Sequence, residues 1–335
     1  MAKTVGVIGA GGWGTALAKL LCERDIEVTL WCRGEETYRN LVEKRENSAY
    51  LPGVAVPPTL AVTCSLEEAL RGREILICAV PSHGVRAVMR RVRPLLGPRA
   101  LVVCATKGIE EGSLKTMGEV LTEELGQDAA GRLAFLSGPT FASEVARGLP
   151  AAATVAAASD EVAHEVQSCL STQSFRTYTS RDIIGVQMGG AIKNVIALAA
   201  GISDGLELGA NSRAALITRG LAEMTRLAVR MGAEPLTLAG LSGLGDLVLT
   251  CTGDLSRNRR VGIEIGRGRK VAEIVGEMRM VAEGVKNTGA VYRLAQRLGV
   301  EMPIVEQMQL VLNEGKSPVE AVPDLMQRSL KAEHG

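Results

Sequence analysis

The chain has 335 residues, 46% of them hydrophobic, and a formal net charge of +1 at pH 7. This length and composition allow about two domains with separate apolar cores, and the balanced charge gives no reason to expect nucleic acid as a partner. Seven cysteines stand singly, without a CxxC pair or a nearby histidine, which predicts reduced thiols and no metal site.

The sequence carries no sign of export or membrane anchoring. It begins without the charged and then apolar pattern of a secretory signal, and no uncharged apolar run is long enough to cross a bilayer. Unpaired cysteines agree with a reducing compartment. We therefore expect a cytoplasmic protein with no stable membrane insertion.

A glycine-rich turn, GAGGWG at 9–14, follows the first predicted strand and opens a predicted helix over 15–22. At this spacing Gly9 makes the tight turn, Gly11 lets the backbone approach a pyrophosphate, and Gly14 allows close packing of helix and strand. Free N–H groups at the helix start then face the pyrophosphate. The turn predicts a bound NAD or NADP, although a glycine turn without a ligand has the same letters.

The end of the second predicted strand, 27–31, bears on which dinucleotide is bound. NAD-binding domains usually carry a carboxylate there for the ribose 2′-hydroxyl, but this chain has Cys32 and Arg33. The planar guanidinium of arginine suits a 2′-phosphate, so we expect NADP to be preferred and NAD to be the second candidate. In the alternative, Glu35 or Glu36 supplies the carboxylate and Arg33 is a solvated residue.

Short β-rich runs alternate with helical ones through the first half of the chain. The predicted strands cover 5–8, 28–31, 60–63, 75–80, 101–105, 133–137 and 152–156. This alternation predicts a Rossmann-like, mostly parallel sheet with helices on both faces. Ligands of such sheets bind beyond the carboxyl ends of the strands, where several of these runs end in polar residues.

From about residue 182 the strand pattern stops and apolar helical periodicity takes over. The predicted helices cover 183–200, 211–231, 258–266, 270–275, 288–298 and 304–313. Asn211 with Ser212, and Ser256, are the predicted N-caps. We place a Rossmann-like domain at 1–188 and an all-helical substrate domain at 189–335. The apolar helices indicate either a homodimer interface or one large core.

Two charged residues stand in apolar segments of the second half. Lys193 lies among small and apolar residues, where its ammonium form is disfavoured, so its pKa moves towards neutrality and suits proton exchange with an alcohol. It can equally extend to water or pair with a carboxylate such as Asp246. Asp246, in a glycine-broken segment, can hold a lysine or a substrate hydroxyl, or cap a helix.

Further candidates follow predicted strands or open a predicted helix. The segment SRNRR at 256–260 places guanidiniums at a helix start, which suits phosphate, although a solvated basic turn has the same composition. Lys107 can face the negative charge that develops on a carbonyl oxygen. His83 is a rival proton carrier, but no carboxylate neighbours it in sequence.

Long motifs spread over nearly the whole chain carry a resemblance to one enzyme family. They are VIGAGGWGTALA (7–18), AVPSH (79–83), ATKGIE (105–110), SGPTFASEVARG (137–148), the stretch 185–224, GLGDLVLTCTGDLSRNRRVG (243–262) and VAEGVKNT (281–288). The chain resembles the bacterial-type NAD(P)-dependent glycerol-3-phosphate dehydrogenases. The resemblance implies reversible hydride transfer between NAD(P)H and dihydroxyacetone phosphate, giving sn-glycerol 3-phosphate for glycerophospholipid synthesis.

The resemblance also implies roles for single residues. Lys193 is implied as the proton acceptor when the alcohol is oxidised and as the donor when the ketone is reduced. The implied substrate-binding residues are Lys107, Gly138, Thr140, Lys193, Asp246, Ser256, Arg257 and Asn258. The implied dinucleotide-binding residues, besides Gly9, Gly11 and Gly14, are Gly12, Trp13, Arg33, Lys107, Ala142, Arg257, Val281 and Glu283. No metal is required.

Two other functions stay open beside this one. Dehydrogenases of the 3-hydroxyacid or 6-phosphogluconate type share a dinucleotide domain followed by helices, and a Lys-Asn pair like Lys193-Asn194; the long SRNRR and GLGDLVLT strings argue against them. If the protein is a non-catalytic NADP-binding sensor, the second half of the chain should lack the polar residues that catalysis needs. The presence of Lys193, Asp246 and Arg257 together argues against a sensor.

Overall fold

The computed structural model describes residues 3–24, 26–278, 282–330 and 332–333. The strands of this described part lie between residues 3 and 180, and apolar residues fill the central strands on both faces. They are β1 Lys3–Ile8, β2 Ile26–Trp31, β3 Glu46–Asn47, β4 Leu51–Ala55, β5 Ala61–Thr63, β6 Ile75–Cys78, β7 Leu101–Cys104, β8 Leu133–Ser137, β9 Ala151–Ala157 and β10 Phe175–Ser180.

The main sheet has the strand order β10-β9-β8-β7-β6-β1-β2-β5. Neighbouring strands pair in parallel except for β8 and β9, which pair antiparallel. The predicted mostly parallel sheet is therefore confirmed. The carboxyl ends of β1, β6 and β7 lie side by side, so the turns that follow them share one edge of the sheet.

Strand β10 and the β3–β4 hairpin were not predicted. β10 lies at the edge of the sheet, and its sequence FRTYTS alternates buried and exposed residues with few apolar ones. In β4, Pro52 and Gly53 read as turn residues rather than strand residues. Short edge strands need less apolar sequence than central strands, and their local signal is correspondingly weak.

Helices cover both faces of the sheet and then form the second half of the chain. Those in the first half are α1 Gly12–Cys22, α2 Glu35–Glu43, α3 Leu66–Leu70, α4 Ser82–Val92, α5 Met117–Leu125, α6 Ala142–Ala146 and α7 Asp160–Leu170. Those in the second half are α8 Ile183–Gly205, α9 Gly209–Arg230, α10 Pro235–Ala239, α11 Asp246–Thr252, α12 Arg257–Gly266, α13 Val271–Glu277, α14 Glu283–Leu298, α15 Pro303–Asn313 and α16 Pro318–Met326.

One predicted helix start is wrong and another is confirmed. Helix α9 begins at Gly209, without a side-chain cap, so Asn211 and Ser212 lie inside its first turn. Gly209 has a φ of +85°, which turns the chain between α8 and α9 before the predicted caps are reached. Ser256 does cap α12, because its Oγ accepts the Arg259 N–H at 3.2 Å.

Helix α8 is the centre of the helical half. A Cβ atom added to Gly201 would lie 2.1 Å from the Arg259 carbonyl oxygen, and one added to Gly262 would lie 2.2 Å from the Leu198 carbonyl oxygen. These glycines let the backbones of α8 and α12 approach closely, which fixes the two helices relative to each other. The boundary that we predicted near residue 188 falls within α8, which runs without a break from 183 to 205.

Helix α8 also has the length and composition of a helix that could cross a membrane. In this structure 83% of its apolar window is buried inside the protein. Core helices of soluble proteins have the same length and composition. The burial of α8 against its neighbours therefore accounts for its apolar sequence.

Candidate active site

The glycine-rich turn joins β1 to α1. Gly9 has a φ of +114°, and a Cβ atom on Gly14 would lie 1.9 Å from the Gly9 carbonyl oxygen. A Cβ atom on Gly11 would meet no described atom within 4 Å, and α1 has no side-chain cap. Packing within the protein thus requires glycine at 9 and 14 but not at 11. The open approach to Gly11 and the free N–H groups of α1 fit a phosphate group.

Gly12, Trp13 and Ala142 lie together beside this turn. A Cβ atom on Gly12 would be 2.7 Å from the Tyr50 carbonyl oxygen and 3.8 Å from the Ala142 Cβ. The Trp13 ring packs near Phe175, with ring centroids 6.4 Å apart, and its buried Nε1 has no hydrogen-bond partner among the described residues. The start of α1 is therefore lined by α6 and by the β3–β4 connection.

Arg33 follows β2 and is exposed. Within the described part of the chain it forms no hydrogen bond or ion pair, so its guanidinium is available to an anion in solution. Cys32 beside it is fully buried, and burial raises its thiol pKa to about 12. Glu35 and Glu36 are exposed in the first turn of α2, so both sequence-based alternatives for the ribose contact retain their residues.

Asp246 connects two lysines at the centre of the candidate site. The carboxylate is 1% exposed; its Oδ1 accepts a hydrogen bond from Lys193 Nζ and its Oδ2 one from Lys107 Nζ at 2.6 Å. Lys193, itself buried, also donates to Thr250 Oγ1 at 2.9 Å. Lys107 also donates to the Gly138 carbonyl oxygen at 3.0 Å. Lys193 thus pairs with Asp246 and does not extend to water.

Close packing of α8 against two neighbouring segments sets this geometry. A Cβ atom on Gly189 would lie 2.3 Å from the Ser242 carbonyl oxygen, in the π-helical turn that leads into Asp246. One on Gly190 would lie 2.6 Å from Ser137 Oγ and 3.2 Å from Lys107 Cγ. The pair of glycines before Lys193 therefore lets the β8 end and the Asp246 turn both pack closely against α8.

The surroundings of Lys193 act on its pKa in opposite directions. Together they lower the pKa from 10.5 to about 8, and burial is the largest cause. The negative charge of Asp246 raises it, and the positive charge of Lys107 lowers it. The ammonium and the neutral amine are therefore both accessible near neutral pH, which is the condition for a group that donates and accepts protons.

The start of α12 lies against α8 and α14. Asn258 Nδ2 donates to Asn194 Oδ1 at 2.9 Å, and Asn258 Oδ1 accepts the Gly284 N–H at 2.9 Å. Ser256 caps the helix, and Arg257 is half-buried beside it. Burial lowers the pKa of Arg257, and the charge of Glu283 in α14 opposes that effect. Glu283 precedes Gly284, so it lies on the segment that contacts the residue next to Arg257.

Three other residues from the sequence prediction are Thr140, His83 and Val281. Thr140 is half-buried and donates its hydroxyl to the Gly138 carbonyl oxygen at 3.2 Å, the same oxygen that Lys107 contacts. His83 is exposed at the second residue of α4 and makes no hydrogen bond within the described part of the chain. Val281 lies outside the described residues.

Two contacts of this arrangement were missed by sequence reasoning. Thr250 lies one helical turn after Asp246 and binds Lys193; the spacing of four between Asp246 and Thr250 was the available signal. Ser82 opens α4, and its Oγ donates to Glu283 Oε2 at 2.8 Å. Nothing local in the sequence indicates this second contact.

Among the described residues, no group of three or more His, Cys, Asp or Glu side chains could hold a metal ion.

Two family models match the chain. The N-terminal model of NAD-dependent glycerol-3-phosphate dehydrogenase covers residues 4–163, and the C-terminal model covers 182–323. The chain belongs to the NAD-dependent glycerol-3-phosphate dehydrogenase family. The resemblance inferred from the motifs is confirmed, and so is the predicted sequence of a Rossmann-type domain followed by a helical domain.

Several glycerol-3-phosphate dehydrogenases are similar to this chain over almost its whole length. A glycerol-3-phosphate dehydrogenase (NAD(P)+) from Citrifermentans bemidjiense is 57% identical over 333 residues, 99% of each chain. A protein of the same name from Geobacter sulfurreducens is 54% identical over 333 residues, again 99% of each chain. The crystal structure of glycerol-3-phosphate dehydrogenase from Coxiella burnetii has a TM-score of 0.93 and 40% identity, covering 98% of this chain and 99% of that one.

Proposed function

We propose that this protein catalyses the reversible reduction of dihydroxyacetone phosphate to sn-glycerol 3-phosphate with NAD(P)H. The observation that carries the proposal is the buried carboxylate of Asp246 held between Lys193 and Lys107. A phosphorylated ketone needs a proton donor, a cation near its oxygen and an anion site. Lys193, Lys107 and Arg257 offer one of each. Family membership and the names of the full-length relatives support the same reaction.

Lys193 moves the proton in this proposal. During reduction its ammonium protonates the ketone oxygen, and during oxidation its neutral amine accepts the proton of the hydroxyl group. Lys107 stabilises negative charge on the same oxygen, and Asp246 holds both lysines in place and offsets one of their two charges. When bound, the dinucleotide supplies or accepts the hydride.

The substrate phosphate is proposed to bind at the start of α12. The N-cap Ser256, the half-buried Arg257 and the free N–H groups of the first turn make this end of the helix suitable for an anion. The substrate-binding set is completed by groups at the carboxyl ends of β7 and β8 and around the Lys193 centre, the cluster of Lys193, Asp246, Lys107 and Thr250. It comprises Lys107, Gly138, Thr140, Lys193, Asp246, Ser256, Arg257 and Asn258.

The dinucleotide is proposed to bind along the β1–α1 turn, with NADP preferred over NAD. The open approach to Gly11 and the exposed Arg33 support this placement and this preference. Glu35 and Glu36 keep NAD as the second cofactor. The proposed binding set is Gly9, Gly11, Gly12, Trp13, Gly14, Arg33, Lys107, Ala142, Arg257, Val281 and Glu283.

We further propose a cytoplasmic homodimer whose product supplies glycerophospholipid synthesis. Three apolar side chains on or beside α11 support a contact between subunits: Leu244 is 36% exposed, Val248 40% and Leu255 44%. Sedimentation equilibrium tests the dimer, with Val248→Glu as the variant that should shift it to a monomer. A wild-type protein that sediments as a monomer at every concentration would refute this part.

The activity is tested by the loss of reduced-cofactor absorbance on mixing the protein with dihydroxyacetone phosphate and NADPH, and then NADH. Lys193→Ala should abolish turnover and leave NADPH binding largely intact, whereas Lys115→Ala, on the surface, should keep the wild-type rate. Oxidation of 3-hydroxyacids or 6-phosphogluconate without reduction of dihydroxyacetone phosphate would favour the rival dehydrogenases. Cofactor binding without any turnover would favour the sensor.

A further inference from the structure

A hydrogen bond between Ser82 and Glu283 joins the sheet half to the helical half next to the Lys193 centre. Ser82 Oγ donates to Glu283 Oε2 at 2.8 Å across 201 residues of sequence. Ser82 is the first residue of α4 and is 4% exposed, and Glu283 is the first residue of α14. The bond therefore fixes the start of α14 to the edge of the sheet where the candidate ligands bind.

The position of Ser82 is set by the turn that carries Lys107. A Cβ atom on Gly108 would lie 2.7 Å from Ser82 Cβ and 3.0 Å from Asn287 Nδ2. Gly108 has a φ of +152°, so the turn depends on glycine. Ser82 and Asn287 thus pack against this turn from α4 and α14.

Besides the uncharged Ser82, Glu283 has a neighbour of opposite charge, Arg257. Gly284, the residue after Glu283, donates its N–H to Asn258 Oδ1 at 2.9 Å, and Asn258 follows Arg257, so Glu283 and Arg257 lie on neighbouring segments. The charge of Glu283 also opposes the effect of burial on the pKa of Arg257. In the described part of the chain, Glu283 nevertheless bonds to Ser82 and forms no ion pair with Arg257. An arginine that is paired with a carboxylate has fewer donors to offer a phosphate, and its charge is already balanced.

We propose that Ser82 is a positioning residue that holds Glu283 away from Arg257, so that the guanidinium stays available to a ligand phosphate. Without the Ser82 hydroxyl, the freed carboxylate turns to Arg257 and competes with the phosphate for it. This inference rests on the proposed function, in which Arg257 binds phosphate. It adds Ser82, a residue outside the predicted site, as the one that keeps the arginine unpaired.

The test is a double-mutant cycle with Ser82→Ala and Glu283→Gln. At saturating cofactor, Ser82→Ala should raise KM for dihydroxyacetone phosphate about tenfold, the effect of losing one charge-assisted hydrogen bond, while kcat changes little. Adding Glu283→Gln should restore most of the affinity, because a neutral amide does not compete for Arg257. Ser113→Ala removes another serine–glutamate hydrogen bond, to Glu110 at 2.5 Å, and should change neither constant.

Binding of inorganic phosphate without dinucleotide isolates the anion site from the cofactor. Ser82→Ala should weaken it, and Ser82→Cys, of similar size but with a weaker donor, should weaken it less. Unchanged phosphate binding in Ser82→Ala overturns the inference. So does a double variant as impaired as Ser82→Ala, because Ser82 would then act only by packing against Gly108.

Arg257→Met separates this inference from the proposed function. If that variant binds inorganic phosphate as well as the wild type, Arg257 is no phosphate ligand and the proposed function is at fault. If Arg257→Met loses phosphate binding while Ser82→Ala keeps it, only the role of Ser82 fails. The midpoint of urea unfolding, measured for each variant, distinguishes loss of fold from loss of the contact. If Ser82→Ala does not fold, Ser82→Cys carries the same test, and unchanged phosphate binding in that variant overturns the inference.

Discussion

Asp246 and Lys193 are 53 residues apart in sequence and form a buried ion pair between α11 and α8. A buried pair offsets its loss of hydration only when the geometry is good and further hydrogen bonds satisfy the charged groups. Here Lys107 and Thr250 supply those bonds. Because one carboxylate serves two ammonium groups, the centre keeps a net positive charge, which suits an anionic substrate and a carbonyl oxygen that gains negative charge.

The two directions of the reaction should respond oppositely to pH. Burial lowers the pKa of Lys193 to about 8. Oxidation needs the neutral amine, so kcat/KM for glycerol 3-phosphate should rise as the pH increases through this value. Reduction needs the ammonium, so kcat/KM for dihydroxyacetone phosphate should fall over the same range. Initial rates in both directions on either side of this pKa check the prediction, and parallel profiles would contradict it.

The two neighbours of Lys193 should move this pH dependence in opposite directions. Asp246 raises the pKa of Lys193, so Asp246→Asn should shift the profile to lower pH. Lys107 lowers it, so Lys107→Met should shift the profile to higher pH. Both variants will be slower than the wild type, but the direction of the shift is independent of the remaining rate. Shifts of the same sign would show that another group sets the profile.

Two glycines of the same turn should respond differently to alanine. Gly11→Ala meets no described protein atom, so the free energy of unfolding should change by less than about 0.5 kcal/mol. Its methyl group should still weaken dinucleotide binding about tenfold, because it occupies the approach of the pyrophosphate. Gly14→Ala places a Cβ atom 1.9 Å from the Gly9 carbonyl oxygen and should destabilise the fold by about 1–3 kcal/mol or more.

Urea unfolding and fluorescence titration with NADPH measure the two effects separately. The result that would contradict the prediction is a Gly11→Ala protein that binds NADPH as tightly as the wild type. The pyrophosphate would then lie elsewhere.

Arg33 should select for the 2′-phosphate of NADP. Removing a charge-assisted contact lowers affinity about 10- to 100-fold, so Arg33→Ala should reduce kcat/KM for NADPH by that factor and leave the value for NADH nearly unchanged. Arg39→Ala, an exposed arginine of α2, is the matched control. A loss with neither cofactor in Arg33→Ala, or a loss with NADH in Glu35→Gln or Glu36→Gln, would favour the carboxylate alternative.

Glu223, which belongs to neither proposed binding set, should make the free energy of unfolding depend on pH. This carboxylate is 3% exposed and accepts the N–H groups of Ile304 at 2.8 Å and Val305 at 3.3 Å, at the start of α15. Burial raises its pKa from 4.5 to about 7. The folded state therefore binds the proton more tightly than the unfolded state. The resulting stabilisation is complete below the unfolded pKa of 4.5 and is lost as the pH rises through about 7.

Glu223→Gln should flatten this part of the stability profile. The free energy of unfolding, measured in urea across the interval between these two pKa values, should fall less steeply in the variant than in the wild type. Glu306 is an exposed glutamate in the first turn of α15, so Glu306→Gln should leave the slope unchanged. An identical slope for Glu223→Gln and the wild type would show that the carboxylate ionises at its ordinary pKa.

The sequence alone determined the elements of the fold and the family. The strand that runs into GAGGWG, the alternation of strands with helices and the change to helical periodicity near residue 182 are local patterns, and each was found in the structure. They can be predicted because the backbone geometry and the periodicity of burial depend on residues that are close together in sequence. The edge strand β10 escaped prediction because an edge needs little apolar sequence.

Only the tertiary structure decided which polar groups meet. The sequence left Lys193 open between solvent and Asp246, and it left Asp246 open between a lysine and a helix cap. It gave no sign that Ser82 contacts Glu283. These contacts depend on how closely α8 approaches α12, the Asp246 turn and the end of β8, which backbone contacts at Gly189 and Gly201 permit. The pKa of a side chain and its hydrogen-bond partners depend on such packing between distant segments. This packing cannot be predicted from a local sequence pattern.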